Sequence, residues 1–153
     1  MGFVVPSSAT VVDEAVAVQH FARYSATMTS PVPFEESESL RLARPFLGRT
    51  VDLVIDRPYG SRHPTCGFLY LADYGYVPGT LAPDGEELDA YYLDPSEPMT
   101  SAHGTCIAII HRFHDDDDEL IVVARPAAEI TDAAIAAAVE FQETTGHYTI
   151  IRP

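Results

Sequence analysis

The sequence contains no lysine, so its permanent side-chain cations are nine arginines. Against these stand 23 Asp and Glu residues, and the formal charge at pH 7 is −14. Nucleic-acid binding is driven by Lys and Arg side chains that release counterions from the phosphate backbone. We therefore expect no nucleic-acid partner. Any phosphate-binding site in this chain has to use arginine or a metal ion.

Cysteine and long apolar runs are also scarce. Cys66 and Cys106 are the only cysteines, and they lack the paired spacing of a zinc or redox motif, so we predict two reduced thiols in the core. No apolar stretch approaches the ~20 residues that cross a bilayer. The first residues, MGFVVPSSAT, lack the positive charge and the apolar run of a signal peptide. We expect a cytoplasmic protein with no membrane contact.

The length of 153 residues suits one domain with one core. Composition divides the chain into an N-terminal extension and linker over residues 1–45 and a folded domain over 46–153. Apolar residues at helical spacing predict a helix over 11–24, with an unstructured tail as the alternative. The Pro-, Ser- and Glu-rich stretch TSPVPFEESES that follows is typical of a linker.

The folded part has the pattern of a mainly β domain of the α+β class. Short alternating segments separated by Pro-, Gly- and Asp-rich turns predict a small closed β-barrel. The predicted strands are 50–56, 67–71, 89–93, 104–113 and 119–124. One helix follows, because EITDAAIAAAVEFQETTG offers Thr131 as an N-cap, several alanines, and Gly146 as a C-terminal stop. We expect this helix to pack on the barrel.

Three acidic residues in PDGEELDA form the most informative motif. Asp84 and Glu86 are two residues apart and point the same way from an extended chain, while Asp89 enters the next strand. The three carboxylates can then converge on Mg²⁺, which prefers hard oxygen ligands. The alternative is a solvated turn, since Pro-Asp-Gly is a common turn sequence.

The flanking residues favour the metal site. The segment YGYVPGTLAPDGEELDA resembles the signature of the soluble inorganic pyrophosphatases, in which a Tyr-Gly-aromatic segment leads into a D-x-D-x-x-D metal motif. The resemblance spans residues 48–124 and is strongest within 70–90. The chain is also similar to short bacterial homologues that carry DRP-x-G-S-x-HP and IAIIHR. The resemblance implies a barrel of the pyrophosphatase type, Mg²⁺ (or Mn²⁺) as cofactor, a phosphate substrate and a homo-oligomer.

Residue by residue, the resemblance implies a complete candidate site. Glu86 stands where most of the family has aspartate, and its extra methylene alters the geometry of a bridging ligand. The implied metal ligands are Asp84, Glu86, Asp89 and Asp117. The implied catalytic residues are Glu86, Asp89 and Tyr74, and the implied substrate contacts are Arg62, His63, Tyr70 and Tyr148.

Each of these assignments has a structural alternative. The tyrosines can be barrel core, Arg62 can lie in a surface turn, and His63 can cap that turn. In the acidic run HRFHDDDDEL, the resemblance matches Asp117 to a metal aspartate, Glu119 to a lysine and Arg112 to a second metal aspartate. A one-residue gap would put Asp115 in place of Arg112. Four consecutive aspartates are also typical of a solvated hairpin tip.

The sequence therefore predicts metal-dependent hydrolysis of inorganic pyrophosphate to phosphate. Two alternatives remain open at this point. One is a pyrophosphatase-like fold that acts on or binds another ligand, an organic phosphate or a non-phosphate metabolite, because several family residues are replaced. The other is a non-catalytic metal-binding protein that serves subunit assembly.

Overall fold

A computed structural model describes residues 36–93, 97–125 and 130–153. The predicted helix over 11–24 and most of the predicted extension lie outside the described residues. Within the described residues, no helix is long and apolar enough to cross a membrane.

Six strands and two helices make up the described part. Five strands close into a ring in the order β1-β2-β3-β5-β4, because β4 pairs back onto β1. The β3–β5 pair is parallel, the other pairs are antiparallel, and β6 adds to β4 as an extra strand. The prediction of a mainly β, closed barrel is confirmed. The elements are α1 (Glu38–Ala43), a short 3-10 helix (Arg44–Phe46), β1 (Thr50–Arg57), β2 (Asp73–Val77), β3 (Leu88–Tyr92), β4 (Ser101–Arg112), β5 (Glu119–Val123), α2 (Asp132–Val139) and β6 (Tyr148–Ile151).

Strand positions differ from the sequence prediction in two places: β6 is not among the predicted strands, and the strand predicted over 67–71 is wrong. The apolar segment 67–71 forms no strand and makes one isolated bridge, between Leu69 and Arg62. The strand follows it, as β2. Gly75 explains this choice: a Cβ there would lie 1.8 Å from the carbonyl oxygen of Val54, so the two strands approach too closely for any side chain at this position. Only glycine permits this pairing.

The alternation of side chains separates two apolar clusters. One face of the strands packs inside the barrel, with Leu53, Ile109 and Leu120 among its members. The opposite face lies outside and includes Tyr91 and Ile121. The outer cluster is covered by α2, so both faces of these strands are buried.

Helix α1 lies in the last part of the predicted extension and packs on the barrel. Ser37 caps it by accepting from the Leu40 N–H, and Leu40 is buried in the inner cluster. Ser39 binds the acidic hairpin: its N–H donates to Asp116 Oδ1 at 2.9 Å, and its Oγ accepts from the Asp118 N–H at 2.6 Å. The barrel body therefore includes residues before 46.

Helix α2 begins as the sequence predicts, since the Thr131 side chain accepts from the Ala134 N–H. Ile135 and Val139 are its buried residues. The helix ends at Val139, seven residues before the predicted stop at Gly146. Its end is tightened by turns in which the N–H groups of Gln142 and Glu143 both donate to the Val139 carbonyl. This turn directs Glu143 inward, where its side chain is buried.

Candidate active site

The outer face of the barrel carries the polar side chains that the sequence singles out. In the β2–β3 pair, Tyr74 lies opposite Tyr91 and Tyr76 opposite Asp89. In the β4–β6 pair, Arg112 lies opposite Tyr148. Because successive side chains on a strand point to opposite faces, these residues share the side that is not the barrel interior.

Asp84, Asp89 and Asp117 form an electrostatically coupled set, called here the carboxylate group. Burial, together with the charges of Asp117, Asp56 and Asp84, raises the pKa of Asp89 to about 6, although a hydrogen bond from Tyr74 opposes this. Burial also raises the pKa of Asp117, with Arg112 opposing and Asp115 and Asp84 adding to the increase. Negative charge is therefore concentrated here beyond what the local cations balance.

Tyr74 connects the carboxylate group to the barrel wall. Its hydroxyl donates to Glu119 Oε1 at 3.0 Å and is also in hydrogen-bonding contact with Asp89. Desolvation, followed by the charges of Glu119 and Asp89, raises the pKa of Tyr74 well above its usual range. The phenol stays protonated and acts as a hydrogen-bond donor.

Arg112 lies behind Tyr74 in a buried polar network. Its Nη2 donates to Glu119 Oε1 at 2.7 Å and to Glu143 Oε1 at 2.6 Å, and its Nε donates to Glu143 Oε2 at 3.0 Å. Tyr91 donates to Glu143 at 2.6 Å. The Nη1 end is held more loosely, at 3.4 Å from Asp117 and 3.9 Å from Asp115.

The pKa values of the two glutamates in this network shift in opposite directions. Burial raises the pKa of Glu119 well above its usual range, although Arg112 opposes this. For Glu143, burial acts in the same direction, but hydrogen bonds from Arg112, Glu119 and Tyr91 outweigh it and the pKa is lowered. Glu143 is therefore the main carboxylate partner of Arg112.

A β-bulge places a second arginine near the tyrosines. The register of β1 shifts between Ile55 and Arg57, so that Arg57 rather than Asp56 lies opposite Tyr74. Bulges of this kind redirect side chains. Arg57 forms a hydrogen bond with Tyr70, whose pKa is raised by desolvation and lowered in part by that arginine. Tyr70 is buried, and its ring lies 5.6 Å from that of Tyr74.

The loop residues of the predicted site are engaged within their own loop. Arg62 donates from Nη1 to the carbonyl of Gly67 at 2.9 Å. His63 Nδ1 accepts from the Cys66 N–H at 2.9 Å, so the imidazole caps the turn. Its ring stacks on Tyr70 at 6.1 Å, so His63 borders the tyrosines. Cys66 is exposed, so the prediction of a core thiol is wrong for Cys66 and confirmed for Cys106, which is buried.

Two further predicted residues lie at the margin of the carboxylate group. Glu86 is exposed, and its backbone N–H donates to Asp84 Oδ1 at 2.9 Å, which closes the turn. Tyr148 is half-buried on β6, where burial and the charges of Glu143 and Glu140 raise its pKa.

Several solved structures are similar to this chain, and those below are inorganic pyrophosphatases. The enzyme from Neisseria gonorrhoeae is 21% identical over 61% of this chain and 72% of its own, with a TM-score of 0.49. The Thermus thermophilus enzyme is 22% identical over 62% and 71%, with a TM-score of 0.48. The Ehrlichia chaffeensis enzyme is 14% identical over 60% and 78%, with a TM-score of 0.49.

No family model matches the chain, and no curated protein matches it. At these TM-scores and identities the structural similarities do not assign the chain to the family, and its chemistry has to be argued from its own residues.

The carboxylate group fits a hard divalent cation in charge and donor type, because all its donors are carboxylate oxygens and its negative charge is concentrated. Among the residues 36–93, 97–125 and 130–153, no three His, Cys, Asp or Glu side chains are close enough to form a finished ligand set. Arg112 also lies beside Asp117, so one permanent cation already borders the group. The carboxylate group therefore offers a cation its oxygen atoms and negative charge, with Arg112 as a competing positive charge at Asp117.

Three residues of this region are not predicted from the sequence to lie at the candidate site. Arg57 adjoins Asp56 in VIDRP, and only the bulge brings it opposite Tyr74. Glu143 and Gln142 lie in a segment that the sequence predicts as helix, with no signal that they turn inward. Gln142 Nε2 lies 3.4 Å from Glu119 Oε1, and its own Oε1 is buried without a hydrogen-bond partner in the described part of the chain.

Proposed function

We propose that this protein hydrolyses a phosphoanhydride bond in a Mg²⁺-dependent reaction, with Mn²⁺ as a substitute, and that inorganic pyrophosphate is a substrate. The observation that carries the proposal is the concentration of carboxylates around Asp89 beside the Arg57–Tyr70 pair. A site with this composition provides carboxylate ligands for a cation and hydrogen-bond donors for phosphate oxygens. Asp84, Asp89 and Asp117 would hold the cation, with Glu86 as a further ligand.

In the proposed reaction a water oxygen forms a bond to one phosphorus while the bridging P–O bond breaks, which yields two phosphates. Asp89 accepts the proton of the water, because its carboxylate lies within the carboxylate group beside the Tyr74 hydroxyl. A bound Mg²⁺ supplies charge neutralisation for the phosphate oxygens and lowers the pKa of a bound water.

The donors of the site orient the phosphates. Arg57 presents a planar guanidinium that suits phosphate oxygens. Tyr74 keeps its proton and donates to an oxygen of Asp89 or of the substrate. Tyr70, held against Tyr74 and Arg57, positions both.

Phosphate release from inorganic pyrophosphate tests the proposal directly. Wild type is assayed with MgCl2, with MnCl2 and with EDTA, next to Asp89→Asn and the control Asp52→Asn, whose carboxylate is exposed and paired with His103. We expect metal-dependent turnover that falls at least 100-fold in Asp89→Asn and stays within twofold in Asp52→Asn. Equal turnover in all three proteins would remove Asp89 from the reaction.

Arg112 favours a second candidate function, a pyrophosphatase-like site that acts on an organic phosphate. Arg112 occupies a position where the resemblance implies a metal aspartate. Its guanidinium is bound to Glu119 and Glu143 and borders the carboxylate group at Asp117. Organic phosphates assayed in parallel with pyrophosphate distinguish the two substrates. A folded protein that binds Mg²⁺ but hydrolyses neither class would instead support the non-catalytic alternative.

A further inference from the structure

A polar cavity of about 270 Å³ opens beside Arg112. It lies where the β4–β6 ladder ends, between the residues that follow Arg112 and those that precede Tyr148. Beyond that pair, the Phe113 N–H donates to the His147 carbonyl at 2.9 Å, and the His147 N–H donates to the Thr144 carbonyl at 3.0 Å. These two hydrogen bonds keep the cavity walls at a defined separation.

Two histidines form one wall of the cavity. The rings of His114 and His147 are 5.1 Å apart at an angle of 84°, an edge-to-face arrangement. Gln142, Glu143 and Thr144 contribute to the lining. Residues with imidazole, amide, carboxylate and hydroxyl groups thus line one small space, and within the described part of the chain no Ala, Val, Leu or Ile lines it.

Arg112 is shared by the cavity and the carboxylate group. Its Nε and Nη2 are committed to buried carboxyl groups at 2.6 to 3.0 Å. Among the residues that the structure describes, its Nη1 has only the longer contacts with Asp117 and Asp115. A phosphate at the carboxylate group that accepts a hydrogen bond from Nη1 therefore places its substituent at the cavity.

The charge of the cavity lining determines which chemical group, attached to the phosphate, can bind there. Asp115 and Glu143 are acidic, and the single arginine is largely neutralised by carboxylates, so a further phosphate would be repelled. The carboxylate of Asp115 and the side-chain oxygen of Gln142, which has no hydrogen-bond partner among the described residues, offer acceptors to a ligand that supplies O–H groups. At ~30 Å³ per water, the space corresponds to about nine waters, enough for a small polar group beyond the phosphates.

We propose that this cavity binds a hydroxyl-rich, sugar-like group attached to the phosphate that lies at the carboxylate group, so that the preferred substrate is an organic phosphoanhydride. The inference rests on the proposed function for the phosphate end of the ligand. His114 and His147 contact the hydroxyl groups, and Arg112 joins the two halves of the site.

Calorimetric titration with MgCl2 present tests this inference without requiring turnover. The probes are ribose 5-phosphate, inorganic phosphate and O-phosphoethanolamine, titrated into wild type, His147→Ala, His114→Ala and the control His103→Ala. His103 is nine residues from Arg112 along β4, about 30 Å at 3.3 Å per residue. Circular dichroism establishes that each variant is folded.

We expect wild type to bind ribose 5-phosphate at least tenfold more tightly than inorganic phosphate. Each cavity variant should lose that preference, and His103→Ala should keep it. Equal affinity for the two probes, tighter binding of O-phosphoethanolamine, or no binding of any probe would overturn the inference.

Pyrophosphate hydrolysis by the same proteins separates this inference from the proposed function. Turnover of pyrophosphate without a preference for ribose 5-phosphate would support the proposed hydrolysis and contradict the proposed role of the cavity. A preference for ribose 5-phosphate without turnover of pyrophosphate would support the role of the cavity and contradict pyrophosphate hydrolysis.

Discussion

Arg112 and Glu143 form a bidentate pair, with Nε to Oε2 at 3.0 Å and Nη2 to Oε1 at 2.6 Å. The glutamate side chain is only 4% exposed and that of the arginine 17%. The pair ties the segment after α2 to the end of β4, so the same contact supports the fold and forms a wall of the cavity beside the candidate site.

Arg112→Met should strongly destabilise the protein. The change leaves the buried carboxylate of Glu143 without its cation, and loss of one partner of a buried pair costs about 3–5 kcal/mol. Urea unfolding at pH 7 measures the effect. The matched control is Arg152→Met, whose partner Asp132 is exposed, and it should stay within about 1 kcal/mol of wild type. Similar losses in both variants would contradict this account of the network.

The stability of the metal-free protein should depend on Asp89 ionisation. Its pKa in the folded protein, about 6, lies above the unfolded value of ~3.9, so its contribution is fully present below pH 4 and is lost as the pH rises through 6. Asp89→Asn should therefore be more stable than wild type at pH 7.5 by about 1–2 kcal/mol, allowing for solvent screening. Denaturation in EDTA at pH 4.5 and 7.5 measures the difference. If Asp89→Asn is no more stable than wild type at pH 7.5, the ionised Asp89 carboxylate does not destabilise the folded protein.

Binding of Mg²⁺ should offset the loss of stability that ionisation of Asp89 causes. A cation that binds only the folded protein stabilises it by ~2.7 kcal/mol at 100 times its Kd. We expect MgCl2 to raise the Tm of wild type and of Asp52→Asn, and to have little effect on Asp84→Asn and Asp117→Asn. Thermal melts with and without MgCl2 provide the comparison, and an unchanged wild-type Tm would argue against a metal at the carboxylate group.

Arg57 should matter more than Arg62 for phosphate binding. Arg57 contacts Tyr70 beside the carboxylate group, whereas Arg62 is bound to the backbone of its own loop. Arg57→Ala should raise KM for pyrophosphate at least tenfold, and Arg62→Ala less than threefold. Steady-state kinetics decide between them. The reverse order would restore Arg62 as the phosphate contact that the sequence resemblance implies.

Local patterns in the sequence predicted the barrel and the start of α2 because both depend on neighbouring residues. Alternation in 50–56 reports the burial of one strand face, the continuous apolar run in 119–124 reports a strand buried on both faces, and Thr131 caps by a contact three residues away. The segment 67–77 misled the prediction, since its strand depends on the close approach of Val54 to Gly75, twenty-one positions apart.

The candidate site was harder to predict than the barrel. Asp84 and Asp89 belong to a recognisable motif, but the partners of Arg112 come from positions 119 and 143, which no local pattern connects. The role of Arg57 depends on a one-residue bulge. Such contacts arise from tertiary packing and leave no periodic trace in the sequence.

The three partners of β4 have a consequence for how the protein folds. Along its twelve residues β4 pairs with β1, β5 and β6 in turn. The pairing of Thr50 with Thr105 closes the ring across more than fifty residues, a long-range contact of the kind that slows folding. Closure is then a late, cooperative event, because the partial sheets that precede it leave strand edges open. The carboxylate group and the cavity depend on β3, β4 and β5 together, so a binding-competent state should appear in a single kinetic phase with the completed barrel.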